Sequence, residues 1–508
     1  MAYMRIVLAI LAGCGLYAAN TPLRWWALIV PALMFLWWAV RGQRVGRAAC
    51  LGMLTGLCYF MPLFSWAAVA AQTPIALVAL AGVESCYISL CAALWALSSR
   101  VAPNVPRPYR IAVRAGCAAA IWTAIEQLRC CWPLGGMPWG RLGFALVDSP
   151  MASLAPYGST ALIAFVCVMA AVIAVEGISR SYLASSCAVG LAGVFIVVPA
   201  IIPGGVRPVG ATISVAVIQG GVPDDSTPDK ARIVTENHIA QTRQLFSRLS
   251  TKPDLVLWPE SSSDRDIRVD PELGPQVMNL VNDIGVPLVM GTQRYEPDGR
   301  YNDVLVIVPH RGPIAYYRKQ HPVPFGEYVP LRTQIRSFAP AVDRISKDML
   351  PGDGIAVLDV PLVHGTIRLA VPICFEIADE EIVARAVKAG AELIVVPTNN
   401  ASFGKSELGN QQFDITRFRA REHGRTAIQV STSGVSGASN SRSVTQYRTA
   451  PLSVDARVIQ VARHTQLTPA TQTYLQRWWV VWILGASASL GVSVAALLEL
   501  RVQRKAKR

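Results

Sequence analysis

The chain has 508 residues, 52% of them hydrophobic and only 16% charged, with a mean hydropathy of +0.37 and a formal net charge of +14. A globular core does not need so much apolar surface, so an ordinary soluble enzyme is excluded and part of the chain is expected to lie in lipid. Long uncharged runs fill the first two hundred positions, a stretch of ordinary polar composition follows, and one more apolar run comes near the end.

A helix needs about 20 mostly apolar residues to cross a bilayer. Eight candidate spans are expected, near Ile6–Ala19, Trp25–Val40, Ala48–Ala70, Pro74–Leu97, Ile111–Leu128, Ser159–Val175, Tyr182–Ile202 and Trp478–Leu498. The run Gly143–Pro156 reads as interfacial or re-entrant. A signal peptide would also offer an apolar run after Arg5, but a soluble mature chain should follow it, and here more spans follow at once.

Basic loops tend to stay in the cytoplasm. Arg5, Arg41, Arg44, Arg47, Arg100, Arg107, Arg110, Arg114, Arg180, Arg501, Arg504, Lys505, Lys507 and Arg508 fall on one side of this arrangement, and only Arg24, Arg129, Arg141, Arg207 and Arg477 on the other. Both termini are therefore expected in the cytoplasm and the residues after Ile202 outside it. These loops also explain much of the net charge. Because the polar stretch has no basic run interleaved with aromatics, nucleic acid is not expected as a partner. The basic tail is expected to lie against anionic headgroups of the bilayer.

Between about Ala211 and Val461, short β-rich runs alternate with helical stretches, as in a layered α/β domain. Strands are predicted at Ile213–Gln219, Leu255–Trp258, Pro287–Gly291, Val304–Val308, Thr366–Val371, Leu393–Pro397 and Ala427–Ser431. Helices are predicted at Lys230–Leu249, Leu273–Asp283, Asp379–Ala389 and Gln411–His423. Linkers near Pro203–Pro208 and Thr465–Thr473 then divide the chain into a membrane domain over residues 1–203 with about seven helices, a soluble domain over 209–465, a terminal transmembrane helix over 474–500 and a basic tail over 501–508. No internal repeat is visible.

Ten of the eleven cysteines precede the soluble domain, which keeps only Cys374. With no disulfide framework possible there, Cys374 is either a buried small hydrophobe or a reactive thiol. The six histidines show no ligand spacing and no paired cysteine motif occurs in this domain, so a metal is not expected.

Three strand ends carry polar groups that packing alone does not require: Glu260 in LVLWPE, Lys319 in YYRKQHPVPFGEYVP and Cys374 in LAVPICFE. Together they make a chemically complete set for acyl transfer. A thiol is mostly protonated at neutral pH, so a nucleophilic Cys374 needs a base, for which Glu260 serves, or a positive neighbour. Lys319 would lower the thiol pKa and then stabilise the oxyanion of a tetrahedral intermediate, helped by the backbone amide of Phe375. His310, His321, His364 and His423 carry no local signature of a Cys–His protease.

The order Glu260, Lys319, Cys374, with its PE, RK and CFE surroundings, resembles the nitrilase superfamily. Membrane spans on both sides of such a domain look like the apolipoprotein N-acyltransferase family. The stretch Trp122, Glu126, Leu128, Arg129, Gly136, Pro138, Trp139 and Gly140 is similar to that family's membrane signature, where Glu126, Arg129 and Trp139 either pair and anchor at the interface or contact substrate. Similar too are FGEY at Phe325–Tyr328, NNASFG at Asn399–Gly404, RAREHGR at Arg419–Arg425 and TSG at Thr432–Gly434.

The resemblance implies a multi-span helical membrane domain of about eight spans and an extracytoplasmic αββα sandwich. It makes Glu260 the general base, Lys319 the stabiliser of thiolate and oxyanion, and Cys374 the nucleophile, with Glu327 and Glu376 orienting them. It implies a cofactor-free, two-step reaction in the bacterial inner membrane. Cys374 takes an acyl chain from a phospholipid as a thioester, and the α-amino group of a diacylglyceryl lipoprotein then accepts it. A membrane-tethered amidase and a noncatalytic scaffold are the rival readings. This chain departs from the pattern at Phe375, Asn400 and Ser402, where Tyr, Asp and Trp are usual. It departs again at Gln219–Gly220–Gly221, where QxN is usual, and in VPDDSTPDK, which lacks a Trp.

Overall fold

The computed structural model describes residues 2–101, 105–178, 190, 193, 198–202, 212–224, 226–336 and 345–506. The expected linker Pro203–Pro208, most of the expected span Tyr182–Ile202, and Arg180, Lys507 and Arg508 lie outside the described residues. The chain forms two compact units, one of residues 1–68, 72–204 and 473–508, the other of residues 69–71 and 205–472.

The first unit is helical, with helices Ala2–Ala18, Ile29–Val40, Val45–Leu63, Ser65–Ala71, Pro74–Ser98, Arg107–Arg129, Ala155–Gly177 and Tyr474–Ala506. Among the described residues, the stretches Pro74–Ser98, Pro150–Gly177 and Tyr474–Leu497 are long and apolar enough to cross a bilayer. Val45–Leu63 and Ser65–Ala71 reach that standard jointly, across a bend of 54°. Pro62 sits just before this bend, where a missing amide weakens the helical ladder. Ala2–Ala18 and Trp26–Val40 are apolar but shorter. Gly143–Pro156 is no single element: it holds a turn of helix at Leu142–Ala145, a 3₁₀ turn at Pro150–Leu154 and the start of the next helix.

Helix ends and helix contacts follow from local chemistry. The Thr73 hydroxyl accepts a hydrogen bond from the Ile75 amide at 3.4 Å, and Pro74 begins the helix without an amide to leave unpaired. Gly52 and Gly56 let Val45–Leu63 approach Pro74–Ser98 closely. A β-carbon at Gly52 would come within 2.5 Å of Ala92 Cβ, and one at Gly56 within 2.7 Å of Ser85. Lipid supplies no hydrophobic drive between helices, so such close backbone contact is what holds them.

Arg129 is buried and donates to Glu84 at 2.8 Å and to the carbonyls of Met137 and Trp139 at 2.9 and 2.7 Å. Glu126 accepts from the Leu142 amide at 3.0 Å and faces Arg141 at 3.9 Å. The signature residues thus form two separate ion pairs that tie down the turn-rich segment between Cys130 and Leu142.

The second unit contains two six-stranded sheets. One has the order β12–β1–β2–β3–β4–β5 and the other β11–β10–β9–β8–β7–β6. The strands of the first are Thr212–Gln219 (β1), Leu255–Leu257 (β2), Leu288–Glu296 (β3), Gly299–Val308 (β4), Gly312–Arg318 (β5) and Asp455–Ala462 (β12). Those of the second are Val357–Leu362 (β6), Gly365–Ala370 (β7), Leu393–Thr398 (β8), Thr426–Ser431 (β9), Gly437–Ser439 (β10) and Thr445–Arg448 (β11).

In each sheet three central strands run parallel, β1–β2–β3 and β7–β8–β9, and antiparallel strands extend both sides. β2 and β8 are short, wholly buried and almost entirely apolar, as strands covered on both faces are. Gln219 at the end of β1 crosses to the other sheet, donating to the Gly434 carbonyl at 3.1 Å and accepting from the Ser436 hydroxyl at 2.5 Å. The helices Lys230–Phe246 and Leu273–Ile284 contact the first sheet, and Glu380–Lys388 and Leu408–His423 the second, giving helices on both outer faces.

Val277, Leu280, Val281 and Ile284 recur at helical spacing and enter a core with Val256, Trp258, Leu288, Met290 and Leu305. Each such full burial of an aliphatic side chain stabilises by about 1.5–3 kcal/mol.

Candidate active site

The site gathers where the parallel strands end. The chain leaves β2 at Leu257 and reaches Glu260 three residues later, leaves β5 at Arg318 and reaches Lys319 at once, and leaves β7 at Ala370 and reaches Cys374 in a 3₁₀ turn, Cys374–Ala378. Strand ends can carry such groups because the sheet fixes the backbone behind them.

Lys319 is fully buried and donates to Glu260 Oε1 at 3.3 Å and Glu327 Oε1 at 2.6 Å. Glu260 also accepts from Asn302 Nδ2 at 2.6 Å and, through Oε2, from the Asn399 amide at 2.8 Å. Glu327 Oε2 accepts from the Val323 amide at 2.7 Å, so both carboxylates are held from two sides. Burial works to lower the Lys319 pKa, but Glu260 and Glu327 outweigh it and hold the ammonium well above its ordinary range.

Cys374 has φ +53°, a left-handed conformation that a residue with a β-carbon adopts only under constraint. Glu376 supplies much of that constraint. Its carboxylate is fully buried and accepts from the Ile373 amide at 2.8 Å, the Gln320 amide at 2.6 Å, the His321 amide at 3.1 Å and the Tyr317 hydroxyl at 3.0 Å. One side chain therefore fastens the Cys374 turn to the segment that carries Lys319. Arg419 fastens the far end of the same turn, donating to the Ile377 and Ala378 carbonyls at 3.0 and 2.7 Å.

Lys319 does pull the Cys374 thiol pKa down, as the sequence suggests, but burial first and Glu260 second push it up to about 12. A thiol held there is neutral at neutral pH, so a nucleophilic role for Cys374 would call for a base to take its proton. Burial also pushes the Glu376 pKa up from 4.5 to about 7, against the amides of Ile373, His321 and Gln320 and the charge of Lys319.

An acid whose folded pKa is raised loses stabilisation as pH rises through that interval. Glu376→Gln removes this slope and turns an amide NH₂ toward backbone donors. We expect acylation of the protein to slow by about 10- to 100-fold. The stability deficit of Glu376→Gln against wild type should be largest near pH 5 and narrow toward pH 8, measured as thermal unfolding of the two proteins across that range.

Sequence reasoning brings Glu260, Lys319, Cys374, Glu327, Phe375 and Glu376 to attention. It misses Asn302, Thr398 and Gln412, which surround the same atoms. Thr398 Oγ1 lies 3.1 Å from Cys374 Sγ, and Gln412 Nε2 donates to that sulfur at 3.6 Å. Asn302 sits at mid-strand in β4 and Gln412 inside a helix, positions where only the fully buried state of a polar side chain gives a signal. The histidines lie in other roles: His321 pairs with Asp379 at 2.9 Å, and His423 is buried against Thr471. Among the described residues no cluster suited to a metal ion occurs.

Two family models match this chain. The chain belongs to the carbon–nitrogen hydrolase family, whose model matches residues 215–497. The model of the apolipoprotein N-acyltransferase N-terminal domain matches residues 12–173, and the two in this order place the chain among the apolipoprotein N-acyltransferases.

It is similar to the apolipoprotein N-acyltransferase of Photobacterium profundum, 27% identical over 85% of this chain and 84% of that one. The Mycolicibacterium smegmatis enzyme of the same name is 28% identical over 91% and 81%, and that of Vibrio parahaemolyticus 25% identical over 97% and 96%.

Proposed function

We propose that the protein is an apolipoprotein N-acyltransferase that moves a fatty acyl chain from a membrane phospholipid, through a thioester on Cys374, to the α-amino group of a lipoprotein's diacylglyceryl cysteine. The observation that carries this reading over a tethered amidase is the acyltransferase-type helical domain, matched over residues 12–173, ahead of the hydrolase domain.

In the first half-reaction Glu260 takes the thiol proton and Sγ attacks the ester carbonyl. Lys319 and the Phe375 amide bear the oxyanion. The carbon–oxygen bond breaks and the lysophospholipid alkoxide leaves with the proton from Glu260. In the second, the amine attacks the thioester, Glu260 takes its proton, the carbon–sulfur bond breaks and the proton returns to the departing Cys374 sulfur. Ester and thioester exchange for an amide without nucleotide or metal.

The helical part crosses the bacterial inner membrane about eight times, with both termini cytoplasmic and the α/β part outside. The support is the fourteen basic residues that fall on one side of the expected spans, and the paired apolar runs before and after the domain.

The test is incubation of the detergent-purified protein with a phospholipid, with and without a diacylglyceryl lipopeptide, followed by mass spectrometry. We expect an acyl mass on the Cys374 peptide when acceptor is absent, and an N-acylated lipopeptide when it is present. Free fatty acid in place of acylated lipopeptide would instead establish a hydrolase.

A further inference from the structure

Glu260, Lys319 and Glu327 are the charged groups that act on Cys374, reaching it from the ends of β2 and β5 and the segment after β5. A second, uncharged set belongs to the other sheet, and two of its members, Thr398 and Gln412, touch the sulfur. Thr398 closes β8, Asn400 follows two residues later, and Gln412 faces them from the helix Leu408–His423; all three are buried.

Their hydrogen bonds are not interchangeable. Asn400 Nδ2 donates to Gln412 Oε1 at 3.0 Å, which fixes the Gln412 amide with its Nε2 toward Cys374 Sγ. The Thr398 hydroxyl has a single proton and three acceptors in reach: Cys374 Sγ at 3.1 Å, Asn400 Oδ1 at 2.9 Å and Gln412 Oε1 at 3.0 Å. The proton goes to whichever acceptor carries most negative charge.

We propose that Thr398 is a catalytic residue whose hydroxyl donates to the Cys374 sulfur while it is a thiolate and turns to Asn400 or Gln412 once the sulfur is acylated. This rests on Cys374 being the nucleophile. In the thiolate, sulfur is the strongest of the three acceptors; in the thioester it is the weakest, so the hydroxyl rotates away at no loss of hydrogen bonds. When the amine expels the sulfur, the hydroxyl returns to the leaving thiolate. The same donor thus assists both half-reactions without holding back the attack on the thioester. Its bond also pulls the thiol pKa down against burial and Glu260.

The test compares wild type, Thr398→Val and Thr398→Ser in two readouts: the rate of Cys374 alkylation by iodoacetamide from about pH 6 to about pH 10, located by peptide mapping, and the rate of thioester formation from phospholipid. We expect Thr398→Val to be alkylated about 10-fold or more slowly at each pH, with thioester formation reduced in step, and Thr398→Ser to stay within about twofold of wild type.

Asn400→Asp, which cannot donate to Gln412 and places a charge beside the sulfur, should slow alkylation as Thr398→Val does. An unchanged alkylation profile in Thr398→Val overturns the proposal. So does an equal loss in Thr398→Ser, because the methyl group and not the hydroxyl would then be what matters. A wild type that forms no thioester, yet shows the expected alkylation series, would sink the transferase reading and leave the hydrogen bond to Cys374 standing.

Discussion

Replacing Cys374 by Ser lowers the rate of lysophospholipid release by about 10⁴-fold or more, while the melting temperature of the protein stays within a few degrees of wild type. The substitution keeps the size of the group and its neighbours, so the turn held by Glu376 and Arg419 has no reason to open. The nucleophile is what changes. A thiol already held up to about 12 is a demanding substrate for Glu260, and an alcohol is a weaker acid still. Release of lysophospholipid from Cys374→Ser within about tenfold of wild type would show that the sulfur is not the attacking atom.

Lys319→Met should cost both catalysis and stability. The variant keeps the length of the side chain but leaves Glu260 and Glu327 buried with no cation between them. Removing one partner from a buried ion pair costs about 3–5 kcal/mol, and the two carboxylates are then driven to share a proton. On the proposed mechanism that takes away the base and the oxyanion's positive neighbour together, so acylation should fall by about 10³-fold or more.

The sign of the pH dependence follows from Lys319 itself. Its folded pKa is raised, so the stabilisation it provides is fully present at neutral pH and is lost only in alkaline solution. The stability gap between wild type and Lys319→Met should therefore be wide at pH 7 and close as pH climbs above the ordinary lysine range. Chemical denaturation at both pH values reads this directly, and a gap that widens with alkali would contradict the charge assignment.

How much of this could be read from the sequence depended on burial. β2, β8 and β9 are buried along their whole length and rich in aliphatic residues, and Leu255–Trp258, Leu393–Pro397 and Ala427–Ser431 find them nearly to the residue. β5, β6, β11 and β12 escape notice because they lie at or beside sheet edges, half exposed, where Arg, Asp and Tyr mix with the aliphatic residues. The ladder from Gly299 to Val308 is longer than its apolar half suggests for the same reason.

At the site, local sequence around Glu260, Lys319 and Cys374 carries the resemblance, whereas Thr398 and Gln412 reach Cys374 from 24 and 38 residues away in the chain. No spacing rule connects them; only the pairing of β7 with β8 and the packing of a helix do. Lys319 lowers the thiol pKa in the expected direction, yet the net shift is upward for a related reason. Sequence shows the charge but not the burial that opposes it.

The strand order also reveals a repetition that the sequence hides. Read from β12 to β5 and from β6 to β11, the two sheets follow the same succession of antiparallel and parallel neighbours. Yet the halves have divided their labour: the acid and the cation hang from one sheet, the thiol and its hydroxyl partner from the other, and the Asn399 amide bridges them to Glu260.

Neither half holds a working site, so the chemistry reports on the seam between them. A partial loosening that lets one sheet slide over the other by an ångström, with every strand still formed, would silence the enzyme while its circular dichroism stayed unchanged. Activity in this fold is a gauge of registry between two slabs, and it should fail earlier on heating than either slab does.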